Sequence, residues 1–342
     1  MRPKSFILCC CMLLLVSTGC TGEDQTSGYG MNLPNYADMQ LGKVLYSGKD
    51  ELLLGWYSES AEASPQTTVL AHYDLSNGEC EELFAGDLGN NFFYDVLVDK
   101  YADSIVLHEG FANDKLLVYL QEERQLTELP VDTRRFTTLL PDGSYLFCAD
   151  DVLYISKPGM ADGVELATLY TEVIAYDLNP DGIEWVGLSH LGDLAIVNLS
   201  TDTIHMIAPQ EQPEGWVDYD SVSYSADGKF LILTVPCEDS TIFQVINKEN
   251  GLIIGQYDSI HHDGRLLQVC DSSLLIADGE KMAGQIIAWD YLTDEQTVVF
   301  DTATDYGGEA YINSAALSPA GDRLAVALWA EDGNSLRLYP IP

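Results

Sequence analysis

The chain is 342 residues long and carries 16 Lys and Arg against 54 Asp and Glu, a formal net charge of -38. That balance excludes nucleic acid as a partner and electrostatic docking on anionic lipid, since both need a positive surface. Hydrophobic residues at 46% exclude an intrinsically disordered chain and leave the acid excess as a source of solubility.

Arg2 and Lys4 open the chain as a short basic region, and residues 5–16 form an apolar run. The small residues Ser17, Thr18 and Gly19 follow, and then Cys20. This order predicts a secretory signal over 1–19, too short to be a membrane span. Ser17-Thr18-Gly19-Cys20 resembles the lipobox of bacterial lipoproteins, a family that favours Leu where Ser17 stands. The resemblance implies cleavage before Cys20, a diacylglycerol on its sulfur, and contact with the membrane through that anchor only. Residues 21–30 are polar and rich in Gly, Ser and Thr, so the lipidated Cys and a flexible tether occupy 20–30. Residues 31–342 show no linker-like break and form one domain.

Within that domain one pattern recurs. Residues 136–148 read FTTLLPDGSYLFC, 174–188 read IAYDLNPDGIEWVGL, 220–233 read DSVSYSADGKFLIL, and 312–328 read INSAALSPAGDRLAVAL. Each copy is an apolar strand, a glycine turn and a second apolar strand. A second kind of turn joins later strands, at 74–78, 198–202, 247–251 and 290–294. Gly, Asn and Asp belong there because hairpin turns need positive φ. Runs such as 230–235 are too apolar for a sheet buried on one face, and suit strands sandwiched between neighbouring sheets. Repeats of four short strands at a spacing of about 40 to 47 residues predict an all-β fold, a β-propeller. Seven units result, near 41–87, 92–131, 136–170, 173–209, 217–258, 264–301 and 310–342. Six blades stay open as an alternative, because the second and third units are the least regular. The last unit has three clear strands, so residues 31–40 are expected to supply its outer strand and close the ring.

Ser225-Ala226-Asp227-Gly228-Lys229, Ser318-Pro319-Ala320-Gly321-Asp322, and Trp289-Asp290 followed by Thr293 resemble the repeats of WD40-like and TolB-like propellers. Most units lack the Trp-Asp and Gly-His pairs of eukaryotic WD40 blades, which points to a divergent bacterial type. The resemblance covers most of the chain beyond the tether. It implies a rigid face presented to proteins or ligands, although some propellers are enzymes.

Candidate chemistry is sparse. Asp177-Leu178-Asn179-Pro180-Asp181-Gly182 matches the first half of a calcium loop, but Leu188 stands where the bidentate Glu belongs. Turn punctuation accounts for it better, so no cofactor is expected, calcium being the one kept in view. Cys80, Cys148, Cys237 and Cys270 allow three disulfide pairings, and free buried thiols are the expected state. No nucleophile elbow, phosphate loop or zinc helix occurs. The segments joining one unit to the next cluster on one face of a propeller. They carry Phe93, the paired Arg134 and Arg135, Trp216, His261 and His262, and Tyr306. Aromatics with a few polar groups at a channel mouth suit protein or sugar contact. The sequence therefore reads as a cell-surface lipoprotein whose propeller is a non-catalytic binding platform for an envelope protein or glycan. A propeller hydrolase or lyase, metal-dependent and working at the channel, is the alternative, and an accessory subunit of an envelope assembly is a third reading.

Overall fold

Local turn chemistry sets the length of every strand. In the computed structural model the residues described are 29–34, 36, 39–58, 67–87, 96–99, 104–108, 115–120, 125–130, 136–140, 144–149, 151–157, 163–169, 172–210, 219–261, 264–280, 283–307, 309–330 and 333–341. At the end of four third strands an Asx side chain accepts the backbone N–H two residues on. These are Asp74 to Ser76, Asn198 to Ser200, Asn247 to Glu249, and Asp290 to Leu292, at 2.8 to 3.1 Å. Four residues after each Asx the chain takes positive φ, at Gly78, Asp202, Gly251 and Asp294. The turns between first and second strands repeat a different device. Asn179, Ser225 and Ser318 accept amides beyond the turn through their side chains, and Gly182, Gly228 and Gly321 take positive φ. The carboxylates of the calcium-like stretch are turned to backbone amides: Asp177 accepts from Leu178 and Tyr224, and Asp181 accepts from Ile183.

These turns divide the described residues into seven four-stranded antiparallel sheets. Blade 1 holds β2 (Met39–Gly48), β3 (Glu51–Ser58), β4 (Thr67–Asp74) and β5 (Glu79–Asp87). Blade 2 holds β6 (Val96–Asp99), β7 (Ser104–His108), β8 (Lys115–Leu120) and β9 (Gln125–Pro130). Blade 3 holds β10 (Phe136–Leu139), β11 (Tyr145–Ala149), β12 (Val152–Ser156) and β13 (Val164–Thr168). Blade 4 holds β14 (Ala175–Leu178), β15 (Glu184–Leu188), β16 (Leu194–Asn198) and β17 (Thr203–Ile207). Blade 5 holds β18 (Ser221–Tyr224), β19 (Phe230–Pro236), β20 (Thr241–Asn247) and β21 (Ile253–Asp258). Blade 6 holds β22 (Arg265–Val269), β23 (Ser273–Glu280), β24 (Ala283–Asp290) and β25 (Glu295–Asp301). Blade 7 holds β26 (Tyr311–Leu317), β27 (Arg323–Ala330), β28 (Gly333–Pro340) and, from the other end of the chain, β1 (Tyr29–Gly30).

Apolar side chains on both faces of the second and third strands make the core. Each well-described cluster bridges two neighbouring blades: Trp185 with Leu146 and Leu153, Leu231 with Val186 and Leu188, Leu274 with Phe243, Leu324 with Ile286, and Leu52 with Ala325. The first strands of successive blades touch each other, β14 with β18, β22 with β26, and β26 with β2, which places them around the axis. The fourth strands β17 and β25 are largely exposed and form the rim. Bulges interrupt four of the innermost strands, at Gly42, Thr137, Leu267 and Asn313. Such an extra residue sharpens the local twist.

Side chains stitch the innermost strands across the blade gaps. Asp177 accepts from Tyr224 N at 2.6 Å, Gln268 from Leu317 N at 2.7 Å, and Ser314 Oγ from Val44 N at 3.2 Å. Arg265 donates to the carbonyls of Ile312 and Asn313, and Asn313 Nδ2 donates to Leu41 O at 2.9 Å. Asn334 accepts from Leu41 N at 2.9 Å and donates to Met39 O.

The ring closes through the N-terminal side of the chain, at a different place from the expected 31–40. Tyr29 pairs with Leu338 and Gly30 with Arg337, so two residues attributed to the tether form the closing strand. Of the expected stretch, Met31 adds one bond, N–H to Leu336 O at 3.0 Å, and Met39 and Gln40 already belong to β2. The reason is geometric. The chain must cross from the rim to the axis before the first inner strand begins, and Pro34 has no N–H to give a ladder. Met31, Leu33 and Tyr36 make that crossing over the seam between the last and first blades, with the Tyr36 ring 5.0 Å from that of Trp56.

Cys80, Cys148, Cys237 and Cys270 are free thiols. Burial pushes the Cys148 thiol up to about 12. Because the thiolate is the reactive form, iodoacetamide at pH ~8 should leave Cys148 unmodified in the folded protein and label it after unfolding, as read by peptide mass spectrometry. Ser314→Ala removes the acceptor of a buried inter-blade amide and should cost ~1–3 kcal/mol in urea unfolding. An unchanged midpoint would show that the stitch contributes nothing.

Candidate functional site

Strand parity decides which residues share a face. In a four-stranded antiparallel blade, the turn between second and third strands and the connection to the next blade emerge at the same end. That end is the candidate site, because each fourth strand ends there and the first strand of the next blade begins there. Among the predicted residues, His261 and Tyr306 fall within the described part. Phe93, Arg134, Arg135, Trp216 and His262 lie outside the described residues, as does Cys20.

The connection from blade 5 to blade 6 is anchored from below. Asp278, near the end of β23, is only 6% exposed. It accepts from Ser259 Oγ at 2.6 Å and from Tyr257 OH at 2.7 Å. Burial, followed by the bond and charge of Asp278, raises the Tyr257 phenol well above its usual value, so it stays a donor. Ser259 Oγ in turn takes the N–H of His261 at 3.2 Å, and the His261 carbonyl accepts from Gly264 N at 3.2 Å. The turn is tight enough that a Cβ at Gly264 would stand 2.5 Å from Ser259 Oγ. This support holds His261 partly buried and leaves Ile260 78% exposed at the tip.

Blade 4 presents a second apolar tip on the same face. Ser189 organises the turn between β15 and β16, accepting from Asp193 N through its hydroxyl and from Gly192 N through its carbonyl. Gly192 takes φ 84° and lets the Tyr219 ring pack against the backbone, where a Cβ would come within 2.4 Å. Tyr219 N also donates to His190 O at 3.5 Å, which ties the next connection to this turn. Leu191 stands between them, 72% exposed. Neither Leu191 nor Ile260 was singled out by sequence. Each is one aliphatic residue in a short turn, and sequence carries no signal for which way such a residue faces.

Tyr306 is placed differently. It ends the π-helical turn Thr302–Tyr306, which Asp301 caps by accepting from Ala303 and Thr304. The guanidinium of Arg337 lies 4.5 Å from the Tyr306 ring centroid. Tyr306 and Arg337 thus join the last two blades. Among the described residues no group of three or more His, Cys, Asp or Glu is placed to hold a metal ion. The chemistry the described face offers is contact: two projecting aliphatic side chains on turns held rigid from beneath.

Asp278→Ala would leave the Ser259 and Tyr257 hydroxyls without their buried acceptor. Its expected cost is ~1–3 kcal/mol, with faster amide exchange across 259–264 than elsewhere in blade 6. Uniform exchange throughout the blade would mean that Asp278 does not hold this turn.

No family model matches the chain, and no curated protein matches it. Solved structures do. A chain from the crystal structure of a mitotic checkpoint complex superimposes with a TM-score of 0.56 at 14% identity, covering 100% of this chain and 99% of that one. At that identity the likeness concerns the fold alone, and it agrees with the four-stranded antiparallel sheets of a β-propeller.

Proposed function

We propose that this chain is a cell-surface lipoprotein, held by a lipid on Cys20, whose propeller is a rigid, non-catalytic platform for a partner protein. The observation that carries the platform is the pair Leu191 and Ile260, exposed at 72% and 78% on the β15–β16 turn of blade 4 and the connection from blade 5 to blade 6, which emerge at the same end of the blades. Exposed aliphatic side chains on a braced backbone suit the centre of a protein interface, since little ordering entropy is lost on docking. Sugars are bound mainly against aromatic faces, and the projecting tips here are aliphatic, so a protein is favoured over a glycan. A chain of similar fold comes from the crystal structure of a mitotic checkpoint complex, which agrees with such use of the fold. No observation on the described residues favours the hydrolase or lyase reading. The basic and apolar start of the chain and Ser17-Thr18-Gly19-Cys20 support the anchor.

Affinity capture from solubilised envelopes tests the platform, with the full chain as bait and Leu191→Asp/Ile260→Asp as control. A discrete protein recovered at least tenfold less by the variant is expected, and equal recovery would move the contact elsewhere. Replacing Cys20 by Ala should release the chain from the membrane fraction; retention would refute the lipid anchor.

A further inference from the structure

Residues directly opposed in an antiparallel pair turn their side chains to the same face. Arg337 and Tyr339 of β28 stand opposite Val326 and Leu324 of β27. Val326 and Leu324 lie in the core shared with blade 6, as does Tyr339. Arg337 and Tyr339 therefore line the seam between blades 6 and 7. There the Tyr339 ring packs with its centroid 5.0 Å from that of Phe300 in β25, and the Arg337 guanidinium lies 4.5 Å from the Tyr306 ring centroid.

Buried polar atoms are nearly always hydrogen-bonded. Among the described residues, however, Arg337 Nε and the Tyr339 hydroxyl are buried atoms with no such partner, and Tyr339 as a whole is 4% exposed. The ion pairs of the described residues involve His72, Lys229, Lys248 and Arg323, and Arg337 enters none of them in a chain with 54 acids. Asp305, close enough to act on the Tyr339 phenol, is occupied instead by the N–H of Asp301 at 2.7 Å. Arg337 approaches the same phenol closely enough to act on its titration, short of hydrogen-bond geometry. Burial is the largest influence there and raises the phenol above its usual value, so it stays protonated and able to donate.

Space is left beside these two donors. Gly30 of β1 stands opposite Arg337, so a side chain at Gly30 would share its face, and a Cβ there would meet nothing within 4 Å. Gly30 is exposed and Arg337 partly so, which opens this space to solvent at the rim. A guanidinium edge held against an aromatic ring, with a hydroxyl donor next to it, matches a carboxylate, which accepts several hydrogen bonds. With Asp305 close by, one positive charge suits a monoanion better than a doubly charged phosphate.

We propose that the seam between blades 6 and 7 binds a carboxylate group, held by the Arg337 guanidinium with the Tyr339 hydroxyl donating beside it. The carboxylate belongs to a free organic acid or to a peptide C-terminus. This site is separate from the turns bearing Leu191 and Ile260, and does not depend on the platform reading.

Isothermal titration of the full chain with propionate, and separately with acetyl-dialanine, at fixed ionic strength tests it. Saturable one-site binding of at least one probe is expected, propionate alone pointing to a free acid and acetyl-dialanine alone to a chain terminus. The amide of acetyl-dialanine should not bind. Arg337→Gln should weaken binding at least tenfold, about 1.4 kcal/mol. Tyr339→Phe keeps the ring against Phe300 and should weaken binding about threefold or more with an unchanged melting temperature, because the hydroxyl it removes has no partner within the protein. Should Arg337→Gln lower the melting temperature, Tyr339→Phe decides alone. Equal affinity in the wild type and Tyr339→Phe, tighter binding of inorganic phosphate than of either probe, or no saturable binding would overturn the proposal.

Discussion

An innermost strand of a propeller has a neighbour on one side only. Its other edge presents backbone N–H and C=O groups to the axis and to the gap before the next blade, and an unpaired buried amide costs ~1–3 kcal/mol. Much of this structure answers that constraint. Asp177, Gln268 and Ser314 reach across to amides of the next blade, and Arg265 and Asn313 reach across to its carbonyls. The bulges at Gly42, Leu267 and Asn313 fall on the same strands. Polar residues on an otherwise apolar inner wall are therefore fasteners between blades first.

The same wall holds basic residues of a strongly acidic chain. Arg265 spends part of its guanidinium on carbonyls and keeps donors in reserve. Ser314 is used as an acceptor and keeps its proton. The chain is strongly acidic, but screening at ~0.15 M salt confines each charge to about 8 Å. On the face bearing the braced turns, Asp278 and Gly192 fix the backbone that presents Ile260 and Leu191.

The turns were legible in the sequence because their chemistry is local. Gly182, Gly228 and Gly321, and the Asx residues Asp74, Asn198, Asn247 and Asp290, mark hairpins by the φ they permit or the amide they accept. Strand order followed from the repeat. The closing strand was misplaced by a few residues, because a two-residue pairing has no periodicity and its partner lies at the far end of the chain. Gly30 and Arg337 look unrelated in sequence. Only the closure of the ring brings them opposite each other. Exposure of Leu191 and Ile260 depends on which side of a short turn faces out, and residue type does not encode that.

The pairing of Tyr29 with Leu338 joins residues about 300 positions apart. During synthesis the ring therefore stays open until Leu338 has emerged, and the first blade waits for the seventh before its inter-blade face is covered. Contacts of such separation form slowly. Until then the unpaired edge of β28 and the uncovered face of blade 1 stay open to solvent, and the order of synthesis keeps the two sides of that seam apart.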